Sequence, residues 1–316
     1  MEYYVHSNRL KARRGFSLGR FFAAVFILFL LFFAVRSVGN VFLKKATGIM
    51  SPLGSSTQGE QTGAASLSEL ENQIKELIGK QKGSWSVYFV DYSQNQRFGI
   101  NEQVIHRAAS VNKLYVLASL YYLAGKNEID LDETITLQKK DIQDYGTGVI
   151  RYDPPGTVYS LKTLARLLTE KSDNTAEFIL RAKIGEDKMQ TLVNQFGMKQ
   201  TSIKDNKTSL ADVALLFEKM KNGEITSKAY TAEMIDFLDK SDFEDRLPAL
   251  LPKDVRVYHK IGNEVGNIHD VGLFVKDDMV YFFGMLSSDI GNTEEEAKKT
   301  IALVSKMVFD FKNNKR

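Results

Sequence analysis

The hydrophobic pattern divides the chain into three stretches. Fifteen apolar residues run without a break from Phe21 to Val35, and twelve of them are Phe, Leu, Ile or Val. A stretch rich in Gly, Ser, Thr and Gln follows, with no apolar period until about Ser66. From Leu67 onward, helical and strand periods alternate over about 250 residues, enough for a globular domain with its own core. Leu67, Leu70, Ile74, Leu77 and Ile78 form one helical stripe, and Ser68-x-x-Glu71 suits a capping box. Trp85–Tyr92 alternates in β-branched and aromatic residues and reads as a strand, with 96–100 as its hairpin partner. Next comes a segment that is apolar on nearly every face, from Leu114 to a stop at Gly125, which predicts a helix buried all round. Helical periods then recur at 161–169, 171–180, 186–196, 209–221 and 230–238. The period returns to two at 255–260, 269–275 and 279–286, three strands of an antiparallel meander, before a closing helix over 294–311. Strands at both ends and helices between them predict an α+β fold. Its antiparallel sheet draws on both chain ends, is flanked by helices and carries an all-helical subdomain.

Charge changes the picture at the N-terminus. Residues 1–45 carry eight Lys and Arg against one acid, Glu2, so +7 of charge sits there and the rest of the chain is −4. A weakly acidic folded part argues against nucleic acid as a partner. Arg9, Lys11, Arg13, Arg14 and Arg20 instead flank the apolar run, as a basic cytoplasmic segment (1–20) flanks a membrane span. The fifteen apolar residues cover only about 22 Å, so the span is extended over 21–43 and includes Arg36, which can snorkel. The apolar side chains contribute about −5 kcal/mol to insertion, and one off-centre Arg costs at most about 3. The alternative is a cleaved secretory signal, and both place the following chain outside. Residues 44–66 read as a flexible tether and 67–316 as the exported domain. No cysteine is present, which excludes disulfides, thiolate metal sites and a lipid anchor on cysteine. His106, His259 and His269 lack metal-ligand spacing and read as structural, and no metal or other cofactor is implied.

The candidate chemistry lies where polar residues enter the apolar pattern. Ser110 and Lys113 open the buried helix three residues apart, so their side chains share a face. A lysine carried into a core is costly unless it has partners or a task, and burial moves an ammonium toward a usable base. A serine beside such a lysine is one route to an activated nucleophile, and a helix N-terminus favours an oxyanion; the plainer reading is a serine cap and a snorkelling lysine. Ser172-Asp173-Asn174 begins a later helix, and Lys260-Ile261-Gly262 closes the strand over 255–260. The order S-x-x-K, S-D-N, K-x-G on these elements resembles that of the class A β-lactamase-like, penicillin-interacting serine hydrolases.

That resemblance implies roles. Ser110 would be acylated, with Lys113 as base or relay. Ser172 would pass a proton to the departing nitrogen, Asn174 would hold Lys113 and the substrate amide, and Lys260 would supply positive charge. Gly262 and Asn263 would serve substrate binding, with the backbone N–H groups of Ser110 and Asn263 as the oxyanion hole. Two departures stand out. Ile261 replaces the hydroxyl residue that helps to bind a substrate carboxylate. Also, no glutamate occurs between Gly197 and Ala211, where these lactamases carry the one that activates the deacylating water. Asp205 is the only carboxylate in that stretch. The implied partners are β-lactams or peptidoglycan-like D-alanyl peptides, with deacylation slow. The alternatives are a D-alanyl-D-alanine carboxypeptidase or transpeptidase, and a non-catalytic wall-binding domain.

Overall fold

The computed structural model describes residues 66–314. The predicted span over 21–43, and all but the last residue of the tether, lie outside the described residues. Among the described residues, no helix is long and apolar enough to cross a membrane.

Helix α1 (Leu67–Gly79) is capped by Ser66, whose side chain accepts from Glu69 N–H while Glu69 reaches back to Ser66 N–H. The box thus begins two residues earlier than Ser68-x-x-Glu71, because Ser66 is the last extended residue before the helix. Strands β1 (Ser84–Asp91) and β2 (Gln96–Ile100) form the predicted hairpin. The closing meander is β7 (Arg256–Glu264), β8 (Asn267–Lys276) and β9 (Met279–Ser288). Strand β1 pairs with β9, giving one antiparallel sheet of order β2-β1-β9-β8-β7 built from both ends of the domain.

Lys260-Ile261-Gly262 is therefore interior to β7 rather than at its end. Polar Asn263 and Glu264 continue the strand because they pair with Ile268 and Asn267 across a tight turn, and ladder hydrogen bonds outweigh the local pattern.

Side-chain alternation gives the sheet two apolar faces. Val87, Phe89, Phe274 and Phe283 pack with Leu70 and Ile74 of α1 and with Val304 and Val308 of the last helix, α8 (Glu294–Asn313). Val90, Leu273 and Phe282 face the other way and join the helical core. At the centre of that core lies α2 (Lys113–Gly125), buried on every side. Around it are α3 (Leu161–Glu170), α4 (Asn174–Ile184), α5 (Glu186–Gln195), α6 (Leu210–Lys221) and α7 (Lys228–Leu238).

Gly125 is the last helical residue rather than a left-handed stop; Lys126 caps the helix and Asn127 takes the positive φ of 58°. Glycine is needed at 125 for packing, since a Cβ there would meet Thr226 Oγ1 at 2.4 Å.

Two small ladders escape the sequence pattern: β3 (Ile105–Arg107) with β6 (Lys207–Ser209), and β4 (Thr134–Thr136) with β5 (Val158–Ser160). Each strand is three residues long, too short for an alternation to register.

Candidate active site

Three segments converge on a cleft of 480 Å³ lined by Ser110, Lys113, Asn174, Glu177, Asn206 and Asn263, among others. The first approaches through β3 and a 3-10 turn over Ala109–Asn112, after which the backbone relaxes into α2. Ser110 does not cap this helix, since no side-chain cap bond forms at either start. Ala109 holds a φ of 47°, a left-handed conformation costly for a residue with a Cβ. Ala108 N–H donates to Asn206 O at 2.8 Å, and His269 Nε2 bonds Arg107 O at 2.7 Å, so the strained step is fixed from both sides.

Lys113 is 1% exposed and fully engaged. Its Nζ donates to Ser110 Oγ at 2.9 Å and to Asn174 Oδ1 at 2.8 Å, and pairs with Glu177 Oε2 at 3.0 Å. Asn174 is oriented by its other end, where Nδ2 donates to Tyr145 O at 3.0 Å. The lysine is thus not isolated in apolar surroundings; it has two acceptors and a counterion.

The second segment enters α4 through Ser172, which has a φ of 50°, and Asp173, which caps the helix by accepting from Ala176 N–H. The other Asp173 oxygen accepts from Val149 N–H at 2.6 Å and Ile150 N–H at 2.9 Å. Thr147 Oγ1 donates to Ser172 O, and Asn174 N–H donates to Thr147 O. The 145–149 loop is therefore clamped over the second motif. Its glycines are required: a Cβ on Gly146 would meet Asn174 Nδ2 at 2.4 Å, and one on Gly148 would meet Asp173 Cγ at 2.5 Å. Tyr145, 63% exposed, stands at the cleft rim on this loop.

The third segment, β7, forms the opposite wall. Lys260 is 1% exposed and donates to Ser172 Oγ at 2.9 Å. Burial pushes its ammonium well below the ordinary lysine range, and nearby Lys113 adds to that. Ser172 and Lys260 lie just behind the cleft lining rather than in it, as does Gly262. A Cβ on Gly262 would meet His269 Cδ2 at 2.7 Å and Ala108 O at 3.0 Å, so the glycine lets β7 approach the backbone just before Ser110. Ile261 is 2% exposed and absent from the lining. Asn263 lines the cleft and its Oδ1 accepts from the buried Arg246 at 2.9 Å, while Arg246 also donates to the carbonyls of Gly262 and His269.

The three histidines all have structural partners. His269 Nδ1 accepts from Ser287 N–H at 3.1 Å, so Nε2 carries the proton and donates to Arg107 O. Burial, partly offset by that carbonyl, lowers its pKa to about 4. His106 sits between Ser86 Oγ and Ser288 Oγ, and burial lowers it to about 4 as well. His259 is buried, which alone would lower it, but Asp270 at 2.8 Å raises it to about 9.

The segment in which a glutamate is missing is a tight turn. Ser202 and Lys207 exchange backbone hydrogen bonds, and exposed Asp205 accepts from Ser202 Oγ at 2.9 Å. Asp205 is outside the cleft lining, so it is no substitute. Two carboxylates do line the cleft, Glu264 on β7 and Glu177 on the helical side; sequence reasoning missed both, and Glu177 is the one that contacts Lys113. The available signal was its spacing: Glu177 follows Asn174 by three residues on one helix and so shares its face.

Known proteins share this fold. The solved structure of PBP-A superimposes with a TM-score of 0.74 at 24% identity, covering 78% of this chain and 97% of that one. A variant of PBP-A has been solved as an acyl-enzyme with penicillin G. A beta-lactamase from Sphaerobacter thermophilus superimposes with a TM-score of 0.73 at 20% identity, covering 78% of this chain and 97% of its own. A beta-lactamase of Bacteroides uniformis is 24% identical over 278 residues, covering 78% of this chain and 92% of that protein. Residues 69–311 match the beta-lactamase enzyme family over most of the chain. The chain belongs to that family, the β-lactamase-like serine hydrolases.

Proposed function

We propose that this protein is an exported, membrane-tethered enzyme that forms an acyl-enzyme on Ser110 with β-lactams or D-alanyl peptides, and that clearing this intermediate limits turnover. The observation that carries the reading is the 2.9 Å contact between Lys113 Nζ and Ser110 Oγ at the cleft floor, fixed by Asn174. In the acylation step Ser110 Oγ attacks the carbonyl carbon and its proton passes to the Lys113 amine. The carbonyl π-electrons move to oxygen, where the backbone N–H groups of Ser110 and Asn263 stabilise them. The C–N bond then breaks, and Ser172, bonded to Lys260, delivers a proton to the leaving nitrogen. The buried Arg246 on the β7 side, bonded to Asn263, favours a substrate bearing a carboxylate.

Slow clearance rests on the 197–209 turn, whose only carboxylate, Asp205, is exposed, bonded to Ser202 and absent from the cleft lining. A general base contributes about 10²–10⁴-fold to the step it serves, so a poorly supplied one leaves a long-lived ester. The same observation favours a second reading, a D-alanyl carboxypeptidase or transpeptidase, which uses the same acylation.

The test is covalent labelling of the detergent-solubilised full chain by a fluorescent penicillin, read by intact mass. We expect a stoichiometric adduct on Ser110 that is absent from Ser110→Ala. Hydrolysis of a chromogenic cephalosporin should show a burst equal to enzyme followed by a slow phase. An unlabelled wild type would leave a non-catalytic wall-binding domain as the reading. The tether is supported by the basic flank and apolar run over 21–43. Protease added to intact cells should remove the folded domain and spare an N-terminal tag.

A further inference from the structure

We propose that Glu177 is the carboxylate of the hydrolytic step, taking over from the loop glutamate that this chain lacks. The inference rests on the reading that Ser110 becomes acylated. Glu177 stands in the first turn of α4, lines the cleft with Ser110, and is 20% exposed on its side chain, so water reaches it. Its two oxygens are held apart: Oε2 lies 3.0 Å from Lys113 Nζ, and Oε1 lies 3.5 Å from Arg181 Nη1. Arg181 Nη2 in turn donates to Ile203 O at 3.4 Å, tying the carboxylate to the turn that carries Asn206.

Asn206 lines the same cleft, and its buried Oδ1 has no hydrogen-bond partner among the described residues. A buried acceptor of this kind calls for a donor that enters with solvent or substrate. A reacting water needs several polar partners, and the Glu177 carboxylate and the Asn206 amide, lining one cleft, offer two. The backbone holding Asn206 is strained, with a φ of 51°, and its carbonyl fixes Ala108 just before the nucleophile.

The step balances without any further reactant. Water oxygen attacks the acyl carbon while one of its protons passes to Glu177. The tetrahedral species collapses, the bond from carbon to Ser110 Oγ breaks, and Ser110 Oγ takes a proton from the Lys113 ammonium, its existing donor. Glu177 then returns its proton to Lys113 across the 3.0 Å contact, and the proton that Lys113 gained in acylation replaces the one Ser172 gave to the leaving nitrogen, so Lys113 is an amine again. The products are the free acid and Ser110 restored. Because Glu177 is already engaged by two cations, it serves this step without being a dedicated base, which is consistent with an ester that persists.

The experiment follows the Ser110 adduct by intact mass after a pulse of penicillin, in wild type, Glu177→Gln and Glu177→Ala. We expect Glu177→Gln to acylate and then to hold its adduct roughly 100-fold longer than wild type. Formate added to Glu177→Ala should shorten the adduct lifetime, a rescue that a merely structural carboxylate would not allow. Clearance from Glu177→Gln at the wild-type rate would overturn the inference. So would variants that melt as wild type but never acylate, since Glu177 would then belong to the first step. Failure of wild type itself to form an adduct would instead remove the acyl-enzyme reading beneath it.

Discussion

The two walls of the cleft are built on different principles. The helical wall, α2 and α4, presents its polar atoms to the cleft and links them directly: Ser110 to Lys113, Lys113 to Asn174 and Glu177. The sheet wall shows the cleft one charged pair at its end, Glu264 with Arg107, and keeps the rest of its charge beneath the surface. Lys260, Arg246 and the His259–Asp270 pair are all buried, and of the predicted substrate-binding residues only Asn263 reaches the lining. One wall supplies proton traffic and the other supplies potential and shape. A helix turn brings residues three apart into contact, and this suits chemistry between neighbours. A strand offers a straight edge with alternate residues turned inward, and this suits a fixed electrostatic floor.

That division gives different expectations for substitutions on each side. The largest effect should come from Lys113→Ala, which removes the one base in contact with Ser110 among the described residues. We expect labelling to fall by about 10³-fold or more at pH 7, measured as the second-order rate of adduct formation. Stability should change by only about 1–2 kcal/mol, because Glu177 keeps Arg181 and partial access to solvent. A variant that labels at the wild-type rate would break the assignment of proton traffic to the helical wall.

A smaller effect is expected from Gly262→Ala on the sheet wall. The new Cβ must displace His269 or the Ala108 carbonyl, which moves β7 away from the nucleophile. Acylation should slow by about tenfold and the domain should lose about 1–3 kcal/mol in urea unfolding. Rates and stability equal to wild type would show that the close approach of β7 does not set the cleft shape.

A third expectation concerns pH and bears on stability alone. His106 and His269 are neutral in the fold down to about pH 4, whereas the unfolded chain binds their protons near pH 6.5. The unfolded state therefore takes up protons first as pH falls, and stability is lost between about 6.5 and 4, by at most about 3 kcal/mol per histidine. His259 has the opposite sign. Its folded value near 9 lies above the unfolded one, so its contribution is full below about pH 6.5 and disappears as pH rises through 9. Urea unfolding across pH 4–9 should give a maximum near neutrality. His259→Gln should flatten only the alkaline side, and loss of the acid side in that variant would contradict the assignment.

Much of this arrangement was legible in the residues themselves. The sheet strands alternate, α2 is apolar all round because it lies in the centre of the helical core, and the three motifs stand out as polar insertions in those patterns. What stayed hidden depends on contacts between distant segments. Nothing local in Arg107 shows that its carbonyl will receive His269, 162 residues later. The 145–149 loop reads as a plain Gly-rich turn until Asp173 and Asn174 are placed against it. Asn263 and Glu264 look like the end of a strand because their pairing partners, not their own polarity, keep β7 going. Glu177 was within reach of helical spacing, but its importance depends on Lys113 arriving from another helix.

The pairing of β1 with β9 has a kinetic consequence. Ser84 lies opposite Ser288, so the central ladder of the sheet joins residues about 200 positions apart. Closing a loop of that size is slow because its entropy is lost before the contacts form. A chain emerging from synthesis cannot complete this sheet until Ser288 is available. Lys260, Gly262 and Asn263 lie on β7, whose only sheet neighbour is β8, itself held by β9. The cleft is therefore among the last features to form, and a nascent chain carries Ser110 and Lys113 for most of its length before they can face a completed opposite wall.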